Sequence, residues 1–267
     1  MSDKEMVGPI RRSQLALLFQ PQLTADGKTI ACVEALIRQE HPTRGRLSAG
    51  ELLRHYDTVA LREELDWWVM EEACRQALRW PDLSVSINVT ATQFRNPDFA
   101  RHVLALIDRV GIRHDRVELE ILESAFIKDF DMATANINQL REGGVRIALD
   151  DFGTGYSSLS YLLRIPIDKL KIDKSFVDKS DSLQSAAIIQ ALVAMARALG
   201  MKVTAEGVET SAQHQFLRTI GCHYLQGYLF SPPTSADAIT RMLEEQLRLR
   251  QAMLAPSPVP VRIQATA

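Results

Sequence analysis

Short β-branched runs alternate with longer segments of helical period along most of this chain, and that alternation restricts the fold more than any other feature. Ser84–Val89 (SVSINV), Arg116–Leu122, Val145–Leu149 (VRIAL), Asp168–Ile172 and Lys202–Ala205 read as strands. Helical patterns lie between them. From Leu61 the residues Leu65, Trp68, Val69, Ala73, Ala77 and Trp80 recur at helical spacing until Pro81 stops them. Further helices are expected from about Pro97 to Val110, from Met132 to Glu142 ahead of Gly143-Gly144, and over Ser182–Leu199. The last should carry Ile188, Ile189, Leu192, Met195 and Leu199 on one face, with Gly200 as its cap. Parallel strands need such crossovers, because the chain must return to the same end of the sheet before each new strand. Seven or eight repeats favour a closed α/β barrel of the TIM type, with a doubly wound open sheet as the alternative. The opening is out of step. Leu15–Leu23 and Thr29–Ile37 read as a hairpin through Ala25-Asp26-Gly27-Lys28, so one strand can run antiparallel.

The length of 267 residues suits one such barrel, which commonly occupies about 250. The expected layout is an N-terminal extension over residues 1–14, the barrel over 15–249, and a Pro-rich flexible tail or linker stub over 250–267. Hydrophobic residues make up 46% of the chain, enough for a sizeable core. The formal charge of -2, from 31 basic and 33 acidic residues, argues against a broad basic face that coats nucleic acid. An anionic substrate would need local Lys, Arg or metal. Cys32, Cys74 and Cys222 lie far apart, and no HxH or HExxH occurs among the histidines. A disulfide framework or zinc site is therefore not expected, and a reducing compartment fits. No apolar run approaches the roughly 20 residues of a membrane span, and MSDKEMVGPIRR lacks a signal-peptide core. The expectation is a cytoplasmic chain, or the cytoplasmic part of one, without membrane contact.

What stands at the end of each strand is the chemical signal. The second strand delivers Glu34, SVSI delivers Asn88, VELE delivers Glu120, VRIAL delivers Asp150 and Asp151, and MKVTA delivers Glu206 with Glu209 close behind. DKLKI holds Lys171, and HYLQGY offers Gln226. In barrels the C-terminal strand ends form the active-site rim. Carboxylates gathered there repel one another unless cations neutralise them. An oxygen-rich set without His or Cys suits magnesium or manganese, and five or six carboxylates leave room for two ions about 3.5–4 Å apart. Such a pair can clamp the attacking and leaving oxygens of phosphodiester hydrolysis. Lys171 on the same rim could orient a water or neutralise charge on phosphate. Taken singly, each residue has a plainer explanation: a strand-end Asp or Glu is often a helix cap, Lys171 a solvated charge, and Glu118 a partner for a neighbouring cation. Recurrence at successive strand ends is what favours a site. In DDFGTGYSSL (Asp150–Leu159), Gly153 and Gly155 permit unusual backbone and Ser157–Ser158 can begin a helix, although GxxxxGK[ST] is absent.

VEALIR (Val33–Arg38), DDFGTGYSSLSYL, LKIDKSFV, AEGVET and QGYLF resemble, in order, the blocks of the EAL family of cyclic di-GMP phosphodiesterases. The resemblance runs from about Leu17 to Pro233. It implies a modified TIM barrel with one antiparallel strand, hydrolysis of cyclic di-GMP to linear pGpG, two divalent cations (Mg or Mn), and a homodimer. It also implies roles. Glu34, Asn88, Glu120 and Asp150 would bind the first metal, Asp150 would bridge to the second, and Asp151 and Glu206 would lie nearby as metal ligands. Lys171 would hold the catalytic water, and either it or Glu206 would assist proton removal. Gln20, Leu36, Arg38, Glu209 and Gln226 would contact substrate or support the site. Glu123 would anchor the DDFGTGYSS loop. Two departures stand out: Ser48–Glu64 lacks the family's usual wording, and Leu122 stands where Thr is common. A family member that has lost its ligands acts instead as a cyclic di-GMP receptor. Here Glu34, Asp150, Lys171 and Glu206 are all present.

Overall fold

Eight strands close into a barrel, and the structure, a computed structural model, describes residues 14–41, 43–53, 58–123, 125, 129–152 and 162–254. The strands are β1 (Leu15–Thr24), β2 (Ile30–His41), β3 (Gly45–Leu47), β4 (Ser84–Val89), β5 (Val117–Leu122), β6 (Arg146–Phe152), β7 (Lys169–Ile172), β8 (Lys202–Ala205) and β9 (Tyr224–Leu225). β2, β4, β5, β6, β7, β8 and β9 follow one another in parallel. β1 pairs antiparallel with β2 on one side and β9 on the other, which closes the ring. β3 is a short addition on the far end of β2. The barrel is thus the modified TIM type with one antiparallel strand. The hairpin cue at Asp26-Gly27 accounts for it: Asp26 accepts bonds from the Thr24 hydroxyl and the Lys28 N–H, at 2.6 and 3.1 Å.

The helices lie where strand–helix alternation predicts, with instructive differences at their ends. The helix that begins with Thr58 as its cap ends at Ala77, short of the expected Trp80. Pro81 and Arg116 together explain the early stop. Buried at the start of β5, Arg116 donates to the carbonyls of Ala77, Trp80 and Leu83 at 2.6, 2.6 and 2.9 Å. Pro81 has no N–H to offer the Ala77 carbonyl, so the chain tightens to i→i+3 bonds, Trp80 N–H to Ala77 among them, and the guanidinium adds a second donor to the Ala77 and Trp80 carbonyls. Trp80 then packs edge-on against Phe19 and donates to Thr240, so the C-terminal helix Ala236–Leu254 is tied to the barrel. That helix continues to Leu254, past Leu249. The helix Leu183–Ala198 also corrects an expectation. Its buried stripe is Ile189, Val193 and Ala196, whereas Ile188 and Leu199 are exposed. The segment is apolar nearly all round, so periodicity could not select the face.

Alternation along the strands sorts two very different surfaces. Val33, Ala35, Val85, Ile87, Val117, Leu119, Ile121, Ile147, Leu149, Leu170, Ile172, Val203 and Ala205 point outward and join one apolar core under the helices. The inward set is polar: Gln20, Gln22, Glu34, Ser86, Glu118, Glu120, Lys169, Lys171, Thr204 and Gln226 are all buried. Layers of branched aliphatic residues usually fill such a barrel. Here ion pairs and hydrogen bonds fill it.

Candidate active site

The rim is built from single residues delivered by separate strands. Glu34 comes from β2, Asn88 from β4, Glu120 from β5, Asp150 and Asp151 from β6, Lys171 from β7, and Glu206 from just past β8. In register Asn88 stands opposite Glu120, while Glu34 faces Ser86 and Asp150 faces Leu122, so the rim steps two residues along the strand between β2 and β4 and again between β5 and β6. At the centre is Lys171, fully buried. Its Nζ lies 2.6 Å from Glu120 Oε2, 2.6 Å from Glu206 Oε1 and 3.1 Å from Asp150 Oδ1. Glu34 joins from the other side, accepting from Asn88 Nδ2 at 2.7 Å and from Gln226 Nε2 at 2.6 Å. Gln226 also donates to Gln20 Oε1 at 3.1 Å, and Gln20 donates to the Ser231 carbonyl, so β1 and the segment after β9 brace the same cluster.

Two glycines make this arrangement possible. Gly227 follows Gln226, and a Cβ there would fall 2.1 Å from the Val208 carbonyl oxygen. Gly207 follows Glu206 at φ +67°, and its Cβ would strike the Lys174 side chain at 2.3 Å. Asp151 is the one non-glycine residue at positive φ (54°) among those described. It sits where the β6–β7 register shifts, and its N–H donates to Asp150 Oδ1 at 3.0 Å. Strain of this kind tends to be kept where a side chain must be aimed.

The electrostatics follow from four carboxylates around one ammonium. Burial works against charge on Lys171, but Glu120, Glu206, Glu34 and Asp150 outweigh it and hold its pKa well above the usual lysine value. Burial likewise opposes ionisation of Glu34, yet Lys171 and the bonds from Gln226 and Asn88 keep it below the carboxylate range. Burial and the Glu34 charge push Glu120 well up. Burial, with Asp150 adding and Lys171 opposing, raises Glu206 to about 7. Burial and Asp150 also raise Asp151. The site therefore holds more negative charge than its own cation balances. Among the described residues no three His, Cys, Asp or Glu side chains form a ready-made metal cage, and the carboxylates converge on Lys171 instead. The all-oxygen donors and the uncompensated charge nonetheless suit a hard divalent cation.

The remaining expected residues lie farther out. Leu36 and Arg38 continue up β2, with Arg38 half-buried and donating to the Ile37 carbonyl at 2.8 Å. Glu209 pairs with Lys174 at the surface, beside the exposed ring of Tyr228. Glu123 is half-buried just past β5. The loop segment 153–161, which it was expected to anchor, lies outside the described residues, as do residues 1–13 and 255–267. Sequence reasoning missed Ser86 and Lys169, which stand directly below the rim. Their parity with Asn88 and Lys171 on the same strands was the available signal.

Comparison with known proteins converges on the same assignment. The EAL domain family profile matches residues 4–233. The curated cyclic di-GMP phosphodiesterase NbdA of Pseudomonas aeruginosa is 39% identical over 262 residues, 95% of this chain and 33% of that protein. The chain spans about a third of the length of the curated relatives it matches. A solved structure of the PaMucR phosphodiesterase in complex with c-di-GMP shares 39% identity at a TM-score of 0.81, over 85% of this chain and 95% of that one. A calcium/cyclic di-GMP complex of Klebsiella pneumoniae BlrP1 shares 30% identity at a TM-score of 0.73, over 86% of this chain and 61% of that one. Barrel, rim and sequence blocks agree: this chain belongs to the EAL domain family.

Proposed function

We propose that this chain is a cyclic di-GMP phosphodiesterase that opens the cyclic dinucleotide to linear pGpG with the help of two divalent cations, magnesium or manganese. The observation that carries this reading is the Lys171 ammonium ringed by Glu120, Asp150 and Glu206 at the C-terminal rim of the barrel. Glu34, Asn88, Glu120, Asp150, Asp151 and Glu206 would hold the cations, with Asp150 shared between them. Bound there, the cations supply Lewis-acid activation of water and neutralise charge on the phosphate.

The protein's own groups divide the remaining work. Lys171, whose charged form the surrounding carboxylates favour, is assigned to donate a hydrogen bond to the attacking water or the phosphoryl oxygens. Glu206, the carboxylate beside Lys171 at 2.6 Å, is assigned to take up the proton of the attacking water. The water oxygen bonds to phosphorus, Glu206 takes the water's proton, and the bond from phosphorus to O3′ breaks. The leaving O3′ takes a proton from bulk water, and Glu206 releases its own proton to solvent, which balances the step and yields the 5′-phosphorylated linear product. Asn88 and Gln226 fix the orientation of Glu34. Arg38 contributes positive charge for the second phosphate, while Gln20, Leu36, Glu209 and Gln226 shape the dinucleotide cleft. Glu123 is assigned to hold the segment that follows Asp151.

Location in the cytoplasm fits three buried free cysteines, and no helix among the described residues is long and apolar enough to cross a membrane. Homodimer formation rests on the resemblance and on the exposed apolar side chains Leu183 and Ile188. The reading is tested with Glu34→Ala and Asp150→Ala. Each should abolish turnover of cyclic di-GMP while the thermal melt stays close to wild type, because rim substitutions in a barrel spare the core. Retention of more than about a hundredth of wild-type turnover, the low end of a lost electrostatic contact, would remove that residue from the reacting centre.

A further inference from the structure

One layer below the rim, the barrel holds a second buried ion pair that the mechanism above does not use. Lys169 Nζ donates to Glu118 Oε1 at 2.6 Å and to Gln22 Oε1 at 3.2 Å, and lies 4.9 Å from the centre of the Tyr224 ring. Both charged side chains are almost wholly buried. Burial opposes the charge on Lys169, and Glu118 more than offsets it. Such a pair deep in a barrel is costly to build and offers little stability over apolar residues of the same volume.

Ser86 links this layer to the rim. It stands in register with Glu118 across β4 and β5, and its hydroxyl lies within hydrogen-bond reach of both Glu118 Oε1, at 3.2 Å, and Glu120 Oε1. A serine hydroxyl has one proton to donate. Two carboxylates therefore compete for it. The geometry favours Glu120: Ser86 Oγ lies closer to Glu120 Oε1 than to Glu118 Oε1, and the Lys169 ammonium at 2.6 Å already neutralises that Glu118 oxygen. The Ser86 proton is left for Glu120 Oε1, while Lys171 donates to Glu120 Oε2 at 2.6 Å. Both oxygens of Glu120 are thereby fixed.

We propose that Ser86, Glu118 and Lys169 are positioning residues that fix Glu120 in the orientation needed to bind the divalent cation. The inference rests on the rim being a metal site. Without the Lys169 charge, Glu118 would reclaim the Ser86 proton and turn an unbalanced charge toward Glu120. Removing Glu118 as well would leave Glu120 as the sole acceptor for Ser86 and restore the arrangement.

The test is manganese binding to the substrate-free full chain by titration calorimetry, with melting curves recorded in parallel. Ser86→Ala should weaken manganese binding about 10–100-fold, the usual scale for losing an outer hydrogen bond to a ligand, and Ser86→Thr, which keeps the hydroxyl, should recover most of it. Lys169→Met should weaken binding, and Lys169→Met combined with Glu118→Leu should return it to within about threefold of wild type, the coupling expected if the unpaired Glu118 charge is what disturbs Glu120. Should Lys169→Met fail to fold, the Ser86 pair and the double variant, which leaves no lone buried charge, still decide. A Kd unchanged in Ser86→Ala, or a folded double variant that binds manganese ten times more weakly than wild type, about the smallest loss expected for such a bond, would overturn the proposal. Lowered melting temperatures with an unmoved Kd would mark the trio as structural only, and overturn it too. No manganese binding by the wild type would instead refute the metal reading of the rim itself, and the positioning role with it.

Discussion

Lys171 stands within 3.1 Å of three carboxylates, and a buried ammonium in that company has few chemical options. Its carboxylate neighbours favour the charged form, so the proposed use is as a fixed positive charge and hydrogen-bond donor. Lys171→Met should cut turnover about 10²–10⁴-fold, the scale of losing a positioned charge-stabilising group. Single-turnover rates on pre-bound dinucleotide check this, since binding should fall far less than rate. Equal losses in both would make Lys171 a plain phosphate contact. Glu206 gives a pH signature. Its folded pKa of about 7 lies above the ordinary carboxylate value of 4.5, so the folded state favours its protonated form. Its contribution to stability is complete below pH 4.5 and is lost as pH rises to about 7. In metal-depleted protein, wild type should therefore lose stability relative to Glu206→Gln over that interval, by on the order of 1–3 kcal/mol. Melting curves of the two at several pH values test it; parallel curves would contradict it. The rim carboxylates were legible because they recur at strand ends. The plain explanation given to Glu118, pairing with a cation, also holds, with Lys169 as the partner. Ser86 carries no such signal: a small hydroxyl inside a strand gains its role only from the two carboxylates that the fold brings to it.

At the scale of elements, ends and short pieces were the least legible. Gly45–Leu47, Lys174–Val177 and Tyr224–Leu225 are too short to show a period, yet Tyr224–Leu225 completes the barrel between β8 and β1. The long helices were recognisable, but Leu183–Ala198 is apolar on most sides, and only packing could choose Ile189, Val193 and Ala196. Arg116 shows how one side chain from a distant strand reinforces a boundary that Pro81 marks in the local sequence. Its three carbonyl acceptors join the helix Val59–Ala77, the Trp80 turn and the start of β4. Arg116→Met should lower stability by about 1–3 kcal/mol, because it removes three charge-assisted bonds from buried carbonyls, of which Ala77 and Trp80 keep one backbone donor each. Chemical denaturation with metal and substrate absent would measure this. A loss below about 0.5 kcal/mol, the range of ordinary surface changes, would show that water replaces the guanidinium at no cost.

For the whole molecule, strand–helix alternation favoured a closed barrel over a doubly wound open sheet, and the hairpin at its start left room for the antiparallel strand that closes it. What the alternation could not convey is how polar the interior is. A strand read alone presents alternating residues, and only closure turns ten polar positions toward one another. That interior carries charge and hydrogen bonds up to the rim, where carboxylates outnumber the ammonium. The account stands or falls on what such a rim does to a cyclic dinucleotide. The direct measurement is chromatographic and mass analysis of cyclic di-GMP incubated with the metal-stripped protein, then with magnesium or manganese restored. The predicted result is no product from the stripped protein and linear pGpG once either ion returns. Bound but uncleaved dinucleotide with both ions present, or full turnover after exhaustive chelation, would contradict it.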